Sequence, residues 1–278
     1  MFDSHIHTKN SLDGRQTVSE ICDRAVSAGL SGISITDHVD MWFYDAENTQ
    51  QRISDCIAET SAAREKYKNK LQVLQGVELA EYLYSPAKAE IIMRLTDYDI
   101  ILGSVHSVLY EDFTDSYSRL PFGKDSASDS KIRGFMHEYF SKVKDMAEKT
   151  DIDVLAHLTC PLRYINGKYG RGVSLSDFHK DITEILAVII ERHIALEINT
   201  SGINTEFNDF MPDRDTVKMY YEMGGRLVTI GSDAHVPQNI GKGFLQAVQM
   251  LKETGFTHYN YYKKRQPMYA AFDVRGEI

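Results

Sequence analysis

The chain has 278 residues, 42% of them apolar and 26% charged, with a formal net charge of −9. These are ordinary values for a soluble globular protein, of a length that suits one domain or two. No run approaches the roughly 18 uncharged apolar residues of a bilayer span, so no membrane partner is expected, and the acidic balance argues against extended nucleic acid, which needs a basic face.

The N-terminus opens on Phe2-Asp3-Ser4-His5 without a basic or apolar leader, so no signal peptide is expected. Cys22, Cys56 and Cys160 are scattered, without Cys-x-x-Cys spacing. That usage predicts reduced thiols and a cytoplasmic location.

In chain order, residues 1–7 form a first β-like run, and Val18, Ile21, Cys22 and Ala25 then follow one helix face that stops at Gly29. Further β-like runs cover 32–36, 73–78 and 100–106. Residues 109–129 are polar and aperiodic, and read as a long functional loop over one end of the fold. Met136, Tyr139, Phe140, Val143, Met146 and Ala147 mark a second helix face. Runs at 154–157, 194–199 and 227–233 follow, then a helix face through Phe244, Ala247, Val248 and Leu251 that ends at Gly255. Strands alternating with helices imply βαβ units and a parallel sheet. Seven such units in an α/β chain favour a closed or nearly closed barrel; an open doubly wound sheet is the alternative. Residues 1–278 are expected to form a single domain.

Each apolar run ends in a ligand-type side chain: His5 and His7, Asp37-His38, Glu78, His106, His157, Asn199, then Asp233 and His235. In parallel α/β folds the carboxyl ends of the strands share the face on which active sites are built. Taken singly, His106 or His157 reads as a hydrogen-bonded core histidine, Glu78 as a solvated carboxylate and Asp233 as a cap. All of these readings must hold at once to dismiss a common site. Imidazole and carboxylate without thiolate suit zinc, iron or manganese, and the donors are too many for one tetrahedral ion. Two to three divalent ions bridged by a carboxylate would use them all, a construction suited to displacement at phosphorus.

The motifs His5-x-His7 with Asp13, Thr36-Asp37-His38, Gly76-Val77-Glu78, Gly103-Ser104-Val105-His106, Ala156-His157 and Gly231-Ser232-Asp233-Ala234-His235 resemble those of the PHP (polymerase and histidinol phosphatase) superfamily. Asn199-Thr200-Ser201-Gly202 and Arg163-Tyr164 are similar to the stand-alone bacterial histidinol-phosphate phosphatases in particular. The resemblance implies a distorted (β/α)7 barrel with a trinuclear site at the strand ends. By it, His5, His7, Glu78 and Asp233 would hold one ion, Glu78, His106 and His157 a second, and Asp13, His38 and His235 a third. Position 13 is often His in the family, so Asp13 bears on metal preference. A metal-bridging hydroxide would be the nucleophile, with Glu78 and Asp233 at the reaction centre. Asp37, were its pKa raised, or a metal-bound water would protonate the leaving alkoxide. Arg163 and Ser201 would meet the substrate phosphate.

The implied activity is hydrolysis of L-histidinol phosphate, a step of histidine biosynthesis, with a small phosphorylated substrate as partner. The alternative is a related phosphoesterase acting on a nucleotide or another small ester. Many such phosphatases carry a second Arg after the Ser-Gly pair, where this chain has Ile203-Asn204. Arg171 or Lys168 are the nearest candidates to replace it. Asp40, Glu81, Glu111 and Asp112 are candidates to meet a cationic leaving group, and Trp42 and Cys160 to line the pocket. An amidohydrolase would supply a strand-end Lys that is missing here, and a non-catalytic domain would have lost ligands.

Overall fold

A computed structural model describes residues 1–203 and 205–272. Its centre is a parallel sheet running β1 (Phe2–Ile6), β2 (Gly32–Ile35), β4 (Gln72–Ala80), β5 (Ile100–Ser104), β6 (Val154–Leu155), β7 (Ala195–Asn199) and β8 (Val228–Gly231). A short strand β3 (His38–Asp40) pairs with the outer half of β4. The two ends of the sheet meet: Asp233 N–H donates to His5 O at 2.8 Å and His7 N–H to Ala234 O at 3.0 Å. The result is a nearly closed barrel, and seven strands lie on its path as the alternation predicts.

Local chemistry sets the helices. Helix α1 (Val18–Ser27) begins at Thr17, whose hydroxyl accepts from Glu20 N–H while the Glu20 carboxylate accepts from Thr17 N–H. It buries Val18, Ile21, Cys22 and Ala25 against the sheet. Helix α4 (Asp129–Lys149) is capped by Ser128 and buries the predicted aromatic face. Helices α2 (Thr49–Tyr67), α3 (Pro86–Met93), α5 (His179–Glu191), α6 (Arg214–Glu222) and α7 (Phe244–Thr254) fill the other crossovers, and α7 stops where Gly255 takes φ 106°. No helix among the described residues is long and apolar enough to cross a membrane.

The barrel interior is divided along its axis. Its lower part is apolar, with Ile100, Leu102, Val154, Ala156, Ala195 and Tyr262 packed together. Tyr262 comes from an antiparallel hairpin, β9 (His258–Lys263) and β10 (Gln266–Ala271), which the sequence reading did not anticipate. The hairpin covers the amino ends of the strands: Tyr259 OH accepts from Phe2 N–H at 2.7 Å, and Asn260 Oδ1 accepts from Val228 N–H at 3.2 Å. The upper part, at the carboxyl ends, holds buried polar groups and opens to solvent.

Candidate metal centre and active site

Side chains alternate along a strand, so His5 and His7 of the first segment face the same side, the barrel interior, where both approach Glu78. Glu78 on β4 and Glu197 and Asn199 on β7 reach the same space. His38, His106, His157, Asp233 and His235 stand on or just past the strand ends around them. Two of these positions carry strained backbone: His157 has φ 24° and Asp233 has φ 52°. Non-glycine residues in this region cost energy and concentrate where a side chain must be aimed.

Glu78 is central. Its Oε2 lies 3.5 Å from His5 Nε2, 3.7 Å from His7 Nε2 and 2.6 Å from His38 Nδ1. Its Oε1 lies 2.8 Å from His157 Nε2 and 3.2 Å from His106 Nε2. One carboxylate therefore divides its two oxygens between two sets of histidines. Asp233 Oδ1 lies 3.1 Å from His7 Nε2 and 3.9 Å from His5 Nε2, completing the first set. At the rim, Asp13 lies 3.7 Å from His38 Nε2 and 3.3 Å from His235 Nε2, and those two imidazole nitrogens are 3.2 Å apart. The nine predicted ligands thus converge. Their side chains are buried except at the rim, where Asp13 is 65% exposed.

The donors fit divalent cations. His5 Nε2, His7 Nε2, His38 Nδ1 and Glu78 Oε2 are buried without an aligned hydrogen-bond partner. Imidazole nitrogens also face each other, His106 Nε2 and His157 Nε2 at 3.4 Å. Orphaned buried polar atoms are costly in a folded protein, and cations among them would satisfy all of these at once. The opposite ring nitrogens are held from behind: His5 Nδ1 by Glu197 at 2.7 Å, His106 Nδ1 by Asp40 at 2.8 Å and His235 Nδ1 by the Asp233 carbonyl at 2.9 Å. Such partners leave Nε2 as the free ligand atom.

The electrostatics agree. Burial alone would lower the pKa of His5, but Glu197, Glu78 and Asp233 outweigh it and raise the group well above its usual value. Burial is likewise overcome at His38, lifted to about 9 chiefly by Glu78, and at His106, lifted by Glu78 and Asp40. Burial together with His38 and His235 pushes His7 well below its usual value. Burial would raise Glu78 and Asp233, yet the surrounding histidines hold both well below the carboxylate range. The site concentrates negative potential that protons or metal ions can neutralise.

A cleft of about 370 Å³ opens above, lined by His38, His106, His157, Asp233, His235 and Arg163 among others. Arg163 begins a short π-helical turn, Arg163–Lys168, and donates to Ser201 Oγ at 2.7 Å and Tyr164 OH at 2.8 Å. Residues Ser116 to Arg119 of the long predicted loop form part of the wall, so that segment reaches the site. Cys160 lines the cleft as well, with its thiol pushed up by burial, and all three cysteines are buried and unpaired.

Several expectations need correction. Asp37 is not placed to protonate a leaving group. Its buried carboxylate accepts from Thr8 N–H and Thr8 Oγ1, both at 2.6 Å, and from Ser11 Oγ at 2.8 Å, and it does not line the cleft. Arg171 turns away to the Phe122 and Ala127 carbonyls and Asp129, so it cannot serve as a second phosphate ligand; Lys168 lies over Tyr169. Asn204 lies outside the described residues. Trp42 stacks on Tyr84 at 4.8 Å and lines a different cavity, as does Glu81, which accepts from His106 N–H and Ser107 N–H. Asp112 pairs with Lys131, and of the four acidic candidates only Asp40 lines the cleft. Glu47, unremarked in the sequence, lines it too. Glu197 was missed, although a carboxylate inside the apolar run Ala-Leu-Glu-Ile-Asn was a legible signal.

Comparison with known proteins follows the same lines. A family model described as PHP domain matches residues 3–201. A probable histidinol-phosphatase of Thermotoga maritima is 28% identical, covering 93% of this chain and 94% of the relative. One from Clostridium acetobutylicum is 29% identical, covering 97% of this chain and all of the relative. The crystal structure of histidinol phosphate phosphatase from Lactococcus lactis subsp. lactis, complexed with Zn, L-histidinol and phosphate, matches with a TM-score of 0.72 at 18% identity over 96% of this chain and 98% of that one. The putative histidinol phosphatase of Listeria monocytogenes matches with a TM-score of 0.75 at 18% identity, over 88% and 99%.

Proposed function

Because the chain belongs to the PHP domain family, we propose that it hydrolyses a small phosphate monoester, L-histidinol phosphate before others, to the free alcohol and inorganic phosphate. The observation that carries this reading is the division of Glu78 between two histidine sets directly beneath a cleft that also holds Arg163. The similarity to histidinol-phosphatases along nearly the whole chain supports the choice of ester. The reading places the protein in histidine biosynthesis, in the cytoplasm, with residues 1–278 acting as one domain.

Two to three divalent ions, of zinc, iron or manganese, would be held as the family resemblance implies. His5, His7, Glu78 and Asp233 would take one, Glu78, His106 and His157 a second, and Asp13, His38 and His235 a rim ion. Such ions supply positive charge and acidified water to a reaction that is among the slowest known uncatalysed.

The chain's own residues do the rest. Arg163 remains charged although burial opposes it, because the Asp233 carboxylate is near and Tyr164 OH accepts a hydrogen bond from it. Ser201 and Tyr164 pin its guanidinium, so a phosphate entering the cleft meets a pre-oriented donor. The leaving group then lies along a wall containing Asp40, Glu47 and Phe43, suited to a cationic amine and a flat ring. The cleft volume of about 370 Å³ suits a small ester rather than a polymer.

A second reading, hydrolysis of a nucleotide or another small ester, is favoured by one departure. Ile203 follows the Ser201-Gly202 pair, and Arg171 does not reach the cleft to replace the missing cation. A substrate panel separates the two. Phosphate release from histidinol phosphate should exceed that from nucleotides and sugar phosphates by orders of magnitude; equal rates on all would remove the specific substrate, and no release from any would remove the phosphatase.

A further inference from the structure

We propose that Glu197, a residue outside the ligand set, is the positioning residue that fixes both the tautomer of His5 and the backbone of His157. The proposal rests on the reading of the site as a metal centre. Glu197 is fully buried on β7, between β6 and β8. Its two oxygens act as acceptors toward two different ligands. Oε1 accepts from His5 Nδ1 at 2.7 Å, and Oε2 accepts from His157 N–H at 2.7 Å and from Asn199 Nδ2 at 3.2 Å.

The two contacts do different work. With the proton of His5 held on Nδ1, its Nε2 presents a lone pair toward Glu78 and Asp233, where it has no hydrogen-bond partner. The second contact secures the amide of a residue whose φ is 24°, a conformation that local preference would not hold by itself. His157 Nε2 is thereby kept 2.8 Å from Glu78 Oε1. A single carboxylate thus couples ligands from β1 and the end of β6, on either side of the β7–β8 pair. Its space is also reserved: a Cβ at Gly231 would stand 2.2 Å from Glu197 Oε1 and 2.6 Å from the His5 Cβ.

Only a group that accepts on both sides can do this. In Glu197→Gln the amide has one oxygen and one NH2. Two donors, His157 N–H and Asn199 Nδ2, converge on the Oε2 position, so the oxygen settles there. The NH2 then faces His5 Nδ1, which must become an acceptor, and the His5 proton moves to Nε2 where it blocks metal. The change is nearly isosteric, so a purely space-filling role would survive it.

The test is chelator competition for zinc on the full chain, with a tautomer measurement beside it. E197Q should weaken the ion at His5 by about 10- to 100-fold, leaving the Asp13, His38 and His235 ion at wild-type affinity. In the zinc-loaded wild type, nitrogen-15 correlation spectra should place the His5 proton on Nδ1. Unchanged zinc affinity at every site in E197Q would overturn the proposal, as would a His5 proton on Nε2 in the loaded wild type. The spectrum needs no variant, so it decides the matter even if E197Q does not fold. A wild type that binds none of zinc, iron and manganese would remove the metal centre itself, and this role with it.

Discussion

Glu78 and Asp233 are carboxylates of one site, but they do not stand alike. Glu78 spreads its oxygens over two histidine sets, whereas Asp233 brings Oδ1 to one and sits on a backbone turned to φ 52° to do so. Neutralising Asp233 as Asp233→Asn, or removing an imidazole as His106→Ala, should cost about 100-fold or more in kcat/KM, roughly 2.7 kcal/mol of barrier. Steady-state rates with parallel metal analysis check this. Arg163→Met should instead leave metal content alone and lower kcat/KM by roughly 10- to 100-fold, the worth of hydrogen bonds to a charged group. Asp37→Asn should behave differently again. Its oxygens accept three internal hydrogen bonds, and placing a donor there should lower stability by about 1–3 kcal/mol. Thermal melts should register that loss while the folded enzyme keeps its kcat. Eight of the nine proposed ligands were legible in the sequence because each ends an apolar run at a strand terminus, whereas Asp13, in the loop after β1, came only from the family resemblance. The orienting groups were not: Glu197 sits inside its run, and Asp40 joins His106 only through the fold.

At the scale of elements, the strands are short, β6 having just two residues, and position is set as much by the turns after them. The alternation of patterns predicted the parallel strands and the faces of α1, α4 and α7. It missed the β9–β10 hairpin for a physical reason. The turn there is Lys264-Arg265 with both φ positive, at 51° and 59°, and lacks the Asn-Gly or Gly-Gly signal of such turns. That hairpin supplies Tyr262, 2% exposed, to the apolar floor of the barrel. Tyr262→Ala should therefore cost about 3–5 kcal/mol of stability. Tyr262→Phe should cost little, since the hydroxyl is buried without a partner. Denaturant titration separates the two, and both variants, when folded, should retain kcat because the floor lies opposite the cleft.

Across the whole molecule, the barrel keeps an apolar end closed by the hairpin and a polar end that gathers buried charge. Stability and chemistry are thus placed at opposite ends of one axis, the arrangement expected where active sites use the carboxyl ends of parallel strands. Along that axis the ligands become more exposed, from His5 and Glu78 at 0% to Asp13 at 65%. The rim ion should leave first on chelation, and Asp13→Ala should lose that ion alone. The most direct test is to strip the protein of metal and follow histidinol phosphate hydrolysis as zinc or manganese is returned. Activity should be absent in the stripped protein and climb to a plateau at two to three ions per chain. Full turnover in metal-free protein, or ions bound at that ratio with no turnover of any phosphate ester, would contradict the account.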